Sequence, residues 1–296
     1  MLSPVVAHAG QPPAPHDLWG AWNLDPVLVA TFAAVGWAWW NGRAGGGLRD
    51  ADRRRARCFA GALGALGIAL LSPLDALSSA LASAHMVQHT LLVLVAAPLL
   101  ALSAPSSTLL RGSPLGVRQA VGRWRRRLGL RRSSLRALGH PAVVWLLAVA
   151  TLWCWHAAVL YDAALANPFL HAVEHASLLG TAWLFWRSVI GPRSPGRVPG
   201  GLGVLLVFGM AMQSVLLSLL LTFARAPWYA GYATTTAPWG LDPLADQQLA
   251  GVIMWIPAGL VYLGAALALL ATWIRTAERD SPSLGVGQAG AGDGPR

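Results

Sequence analysis

Apolar residues in this chain come in blocks of about twenty, the length that carries an α-helix across a bilayer core of ~30 Å. Seven such blocks can be drawn, over residues 24–41, 58–77, 81–102, 141–160, 169–190, 202–223 and 248–274. They leave no room for a soluble domain: of 296 residues, 55% are hydrophobic and 11% charged. The sequence therefore predicts an all-α integral membrane protein, a seven-transmembrane helix bundle over 24–275. An outer N-terminal segment, 1–23, precedes it, and a disordered cytoplasmic tail, 276–296, rich in Gly and Ala, follows. The opening MLSPVVAHAG has neither a basic n-region nor an adequate apolar h-region, so the first block rather than a cleaved signal is expected to direct insertion.

Charge sets the orientation. The net charge is +10 and every basic residue is Arg. Arg43, Arg49, Arg53, Arg54, Arg55 and Arg57 follow the first block, nine arginines from Arg111 to Arg136 follow the third, Arg187, Arg193 and Arg197 follow the fifth, and Arg275 and Arg279 follow the seventh. The intervening connections hold Arg225 alone. By the positive-inside rule this alternation puts the N-terminus outside and the C-terminus in the cytoplasm. It also accounts for the basic charge without nucleic acid: WRRRLGLRRSSLR, from Trp124, adjoins the membrane and is expected to meet anionic lipid headgroups. Cys58 and Cys154 sit far apart in apolar blocks, with none of the spacings of a disulfide framework or zinc ribbon.

With orientation assigned, the polar residues inside the blocks acquire a depth. His85 and His89 fall about 6 and 12 Å below the outer end of the third block. Cys154 and His156 fall near the outer end of the fourth, and His171, Glu174 and His175 in the first two turns of the fifth. The short loop between those blocks contributes Asp162, and the seventh opens with Asp242, Asp246, Gln247 and Gln248, with Met254 two turns deeper. Five of the eight histidines thus gather in one layer. Ionisable groups in a bilayer normally face a bundle interior or a wet cavity, where they pair with one another.

Two helices repeat one device. His85 with His89, and His171 with His175, are i,i+4 pairs whose Cβ atoms stand about 6 Å apart on one helix face, a spacing that can hold a metal ion between two imidazoles. A lone membrane histidine is more often an interhelical hydrogen-bond partner, and His156 taken alone reads that way. His140 reads as interfacial, and His8 and His16 as solvated. Glu174 is either an acceptor that orients an imidazole N–H or a ligand itself. Asp242 and Asp246 suit both a helix N-cap and the site. Imidazole serves zinc, copper and iron, whereas thioether and thiolate favour Cu(I). Met86 beside His85, with Met254 and Cys154 in reach of the same layer, tilts the reading to copper, with zinc as the alternative. Met210 and Met212 read as ordinary packing.

The strings HMVQHTLLVLVAAPLLALSAP, WCWHAAVLYDAAL, HAVEHASLLGTAWLFW and DQQLAGVIMWIP resemble, in order, the motifs of the CtaG-type seven-helix assembly factors of caa-type cytochrome c oxidases. The resemblance runs from Asp25 to Arg275. It implies a multi-pass protein of the bacterial cell (inner) membrane that works in respiratory chain biogenesis, with cytochrome c oxidase subunits as partners and copper supplied to the oxidase metal centres. It also implies metal binding at His85, His89, His156, His171 and His175, with Asp246 and Gln247 nearby. The leading expectation is an assembly factor rather than an enzyme. Its rivals are an intramembrane zinc hydrolase with Glu174 or an aspartate activating water, a bis-histidine haem protein, and a metal-free scaffold whose polar layer is an interhelical hydrogen-bond network.

Overall fold

The computed structural model describes residues 13–43, 50–127, 129, 139–192, 198 and 200–280, and among these every regular element is a helix. His8, several of the loop arginines and residues 281–296 of the tail lie outside the described residues. The helices are α1 (Pro26–Arg43), α2 (Asp50–Leu70), α3 (Pro73–Ser78), α4 (Ala82–Thr90), α5 (Ala97–Ser103), α6 (Pro105–Gly112), α7 (Leu115–Arg127), α8 (Pro141–His156), α9 (Ala158–Ala166), α10 (Pro168–Ile190), α11 (Gly200–Thr222) and α12 (Pro243–Asp280). A π-helical turn, Leu91–Ala96, joins α4 to α5, so that 82–103 is one continuous span.

Among the described residues three helices are long and apolar enough to cross a membrane: the 82–103 span, α11 and α12. The bent pair α8 and α9 makes a fourth if the two are one span. The other three blocks map onto α1, α2 and α10. Outward faces stay apolar, as the exposed Leu205 and Phe208 on α11 and Leu260 and Leu263 on α12 illustrate. The buried interior is also apolar, centred on Phe185, Trp186, Leu217, Leu221 and Tyr262, with small alanines where helices approach closely. α11 and α12 form the most extensive pair. α12 also packs along α4, α10 against α5 and α8, α2 against α5 and the π turn, and α1 against α6. At the last contact Gly42 and Gly112 are obligatory: a Cβ on Gly42 would strike the Thr108 carbonyl, and one on Gly112 the Ala38 carbonyl.

Four departures from the sequence expectation matter. First, the block drawn over 141–160 is not one helix. It ends at His156, because Ala157 is extended (φ −67°, ψ 127°), and α9 leaves at 72°. Asp162 therefore lies on a helix rather than in a loop. Second, α2 begins at Asp50, so Arg53, Arg54, Arg55 and Arg57 occupy its first two turns, behind Asp50 and Asp52 at its positive end. Its buried stripe, Phe59, Ala62, Ala65 and Ala69, faces the bundle at helical spacing. Third, part of the arginine-rich connection after the third block is itself helical, as α7. Fourth, α12 continues to Asp280, so the first residues assigned to the tail are helical.

Candidate metal centre

α4 and α10 bring their histidine pairs face to face. On α4, His85 and His89 sit one turn apart with their Nε2 atoms 2.8 Å from each other. On α10, His171, Glu174 and His175 follow at i, i+3 and i+4 and share a face. The His85 ring centre lies 5.3 Å from that of His171 and 6.0 Å from that of His175. His89 lies 5.4 Å from His175 and 6.0 Å from His156, which projects from the end of α8. All five histidines named from the sequence therefore gather in one place. Among the described residues two overlapping triads bring ligand atoms within 4.8 Å of one another: His85, His171 and His175, and His85, His89 and Glu174.

Glu174 is fully buried, and neither carboxylate oxygen has a hydrogen-bond partner. One oxygen stands 3.5 Å from His89 Nε2 and the other 3.7 Å from His85 Nε2, too long for good hydrogen bonds. A carboxylate so placed costs several kcal/mol unless a cation or a proton neutralises it. The donor set fits an ion. Ligand atoms of a tetrahedral site with bonds of 2.0–2.1 Å stand roughly 3.3 Å apart; here the two Nε2 atoms are 2.8 Å apart, Glu174 Oε1 is 3.5 Å from that of His89, and Oε2 is 3.7 Å from that of His85.

The hydrogen-bond network also fixes which nitrogen of His85 is free. Tyr232 donates its hydroxyl to the Ser78 carbonyl (2.8 Å), so its oxygen accepts from His85 Nδ1 (3.1 Å). Nε2 of His85 is left with its lone pair facing His89 and Glu174. A ligating imidazole typically donates its other ring N–H in this way. Burial pushes the Tyr232 and Tyr229 hydroxyls well above the ordinary phenol range, so both remain proton donors.

The surrounding polar residues hold the frame. Asp246, fully buried on α12, accepts from the backbone amides of Ala82 (2.6 Å) and Ser83 (3.2 Å), capping α4 from across the bundle. Asn167 caps α10 through Phe169 and Leu170. Asp162 accepts from the amides of Ala230 and Gly231, and Gln247 from that of Trp228, which fastens the connection between α11 and α12 across the cluster. In that connection Tyr229 stacks on Tyr161 at 3.9 Å and donates to the His156 carbonyl (3.2 Å), the acceptor released where α8 ends.

Not every residue singled out from the sequence joins the cluster. Cys154 is exposed, two residues from His156 and so on the opposite side of α8. Met86 and Met254 are buried and line a cavity beside the cluster. His140 is exposed at the start of α8, and His16 is exposed beside Asp17. Asp242 accepts from Leu244 at the start of α12. Sequence reasoning misses the tyrosines Tyr161, Tyr229 and Tyr232, and it misses Gln88 with Asp75, which are joined at 2.8 Å behind α4. The chain has only four tyrosines against fifteen tryptophans, and two of the four fall in the string WYAGY. That rarity is the one signal the sequence offers for them.

The family model described as the cytochrome c oxidase caa3 assembly factor matches residues 33–276. The chain belongs to that family. The match takes in every residue of the histidine cluster and the tyrosine connection above it. An uncharacterized protein of Mycobacterium bovis is 26% identical over 288 residues, covering 91% of this chain and 42% of the relative. One of Mycobacterium tuberculosis matches to the same extent, and one of Mycobacterium leprae is 28% identical over 205 residues, 68% of this chain and 31% of that protein. The chain thus spans less than half the length of these curated relatives. No solved structure matches it.

Proposed function

We propose that this assembly factor binds copper at the histidine cluster and aids its delivery to cytochrome c oxidase. One observation carries the reading: a buried carboxylate without a donor, Glu174, faces the paired Nε2 atoms of His85 and His89 at separations suited to a bound cation. The two triads share His85, so an ion can exchange ligands within the cluster without leaving it, which keeps the barrier to hand-over low. Imidazole and carboxylate serve copper and zinc alike, and membership of an oxidase assembly family favours copper.

The protein sits in the bacterial inner membrane and crosses it seven times, N-terminus outside, with the cluster in the outer half. The alternation of arginine-rich connections supports this orientation. On α7, Leu115, Val117, Val121 and Trp124 are exposed among Arg118, Arg123, Arg125, Arg126 and Arg127, a composition suited to anionic lipid headgroups on the cytoplasmic side. Oxidase subunits are the partners that receive the metal.

Elemental analysis of detergent-purified protein, beside the His85→Ala, His89→Ala double variant, tests the reading. Stoichiometric copper lost in the variant is expected, together with copper-depleted oxidase in a strain carrying it. Unchanged oxidase copper in that strain overturns delivery. A second reading has its own support: two histidines and a glutamate form the ligand set of a class of zinc hydrolases. Zinc in place of copper promotes that reading, and no metal in either protein leaves a scaffold.

A further inference from the structure

Beside the cluster lies a small cavity, about 40 Å³, bounded by α4, the π turn, α8, α10, α11 and α12. Met86, Met210 and Met254 reach its wall from three different helices, and each is buried. The chain has only five methionines, so three of them converge on one void. Met212 is exposed on α11.

Methionine fills irregular gaps in many cores, but the histidines on this wall are not explained by packing. His156 is buried, and its Nδ1 lies 2.7 Å from the Leu152 carbonyl, which can only accept; Nδ1 therefore carries the proton and Nε2 the lone pair. That Nε2 is buried without any hydrogen-bond partner, as is Nδ1 of His89, the other histidine on the wall. A buried imidazole lone pair with no donor is destabilising unless a proton donor or a metal ion meets it. A backbone carbonyl holding the distal N–H is also the usual support of a metal-ligating imidazole. The π turn adds to the site: Val93 and Leu94 form part of the wall beside Thr90 at the end of α4, and the Val93 carbonyl accepts from the Trp186 indole (2.9 Å). π turns are frequent at functional sites.

We propose that this cavity is a second metal site, selective for Cu(I), in which the thioethers of Met86, Met210 and Met254 and Nε2 of His156 are the ligands. Thioether sulfur selects a soft monovalent ion, and an apolar wall suits a single positive charge better than a double one. The triads offer nitrogen and carboxylate oxygen without sulfur. The two neighbouring sites therefore differ in chemistry, and His89 is common to both walls. The inference deepens the copper reading and rests on it for the role of the ion, a soft-metal pocket next to the exchange cluster, but not for the binding itself.

X-ray absorption at the copper edge, on full-length protein loaded anaerobically with Cu(I), tests the proposal. Wild type is expected to hold two copper equivalents and to show sulfur scattering. The Met86→Leu, Met210→Leu, Met254→Leu variant conserves side-chain volume and is expected to lose one equivalent and all the sulfur signal. The His171→Ala, His175→Ala variant is expected to keep both the sulfur signal and that equivalent. Selenomethionine-labelled wild type provides a readout free of any folding defect, with copper expected as a neighbour at the selenium edge. Copper surrounded only by nitrogen and oxygen, with no selenium contact, overturns the Cu(I) pocket while leaving the histidine cluster standing. Copper on sulfur that survives with no metal in the triads does the reverse.

Discussion

Asp246 holds Ser83 twice, through its backbone amide at 3.2 Å and through its hydroxyl, across 163 positions of sequence. With the bond to Ala82, this carboxylate supplies the N-terminal cap that α4 lacks from its own Leu81. The helix that presents His85 and His89 is thus positioned from α12, the helix that also brings Met254 to the cavity.

Replacing Asp246 with Ala leaves those two amides unpaired in a buried setting. The expected loss is on the order of 1–3 kcal/mol of stability, read as an earlier thermal transition in detergent, with reduced metal occupancy. Asp246→Asn keeps an acceptor and should fall in between. Equal behaviour of the two variants would remove the capping account.

Glu174→Gln separates a metal ligand from a structural carboxylate. Without metal, removing a buried charge that has no donor should leave the protein as stable or more so, by up to ~4 kcal/mol. A bound ion at hundredfold excess over Kd stabilises by about 2.7 kcal/mol, and in Glu174→Gln that gain should largely vanish. Melting curves with and without copper decide it. An apo protein made weaker, with its copper response intact, would mean that Glu174 serves packing.

Tyr232→Phe cuts the link from His85 Nδ1 to the Ser78 carbonyl. Metal affinity is expected to fall roughly 10–100-fold while stoichiometry is retained, the usual consequence of losing the group that orients a ligating imidazole. Competitive titration against a chromogenic chelator measures it. An unchanged affinity would show that His85 needs no such support.

Gly112→Ala tests the fold away from the site. Its new Cβ meets the Ala38 carbonyl, so α1 and α6 must separate. Stability should drop by about 1–3 kcal/mol, as over-packed positions do, while copper per protein stays constant. A loss of metal here would tie the distant α1 contact to the cluster.

Legibility in this chain follows its periodicity. Blocks of hydrophobic residues mark helices directly, and i,i+4 spacing assigns His85 with His89, and His171 with His175, to common faces, with Glu174 beside the second pair at i+3 from His171, as α4 and α10 present them. Cys154 shows where depth alone misleads: it shares a level with His156 but points outward, because direction around a helix matters as much as height. The break at Ala157 leaves no mark in the sequence, since neither Pro nor Gly stands there; its extended backbone instead accompanies a tertiary bond, the Tyr229 hydroxyl on the freed His156 carbonyl. The Asp246 cap and the tyrosine connection likewise join residues far apart in the chain, and no local pattern encodes such pairings.

The π turn at Leu91–Ala96 carries one residue more than the α-helix on either side of it would need. Deleting a single residue there would restore plain α geometry while each half of the span kept its phase, because the wide turn absorbs its extra residue instead of passing a rotation along the helix. His85 and His89 would still face α10, and Ala97 and Ala101 would still meet their present neighbours. What the deletion would erase is the local widening, and with it the shape that Val93 and Leu94 give the cavity wall.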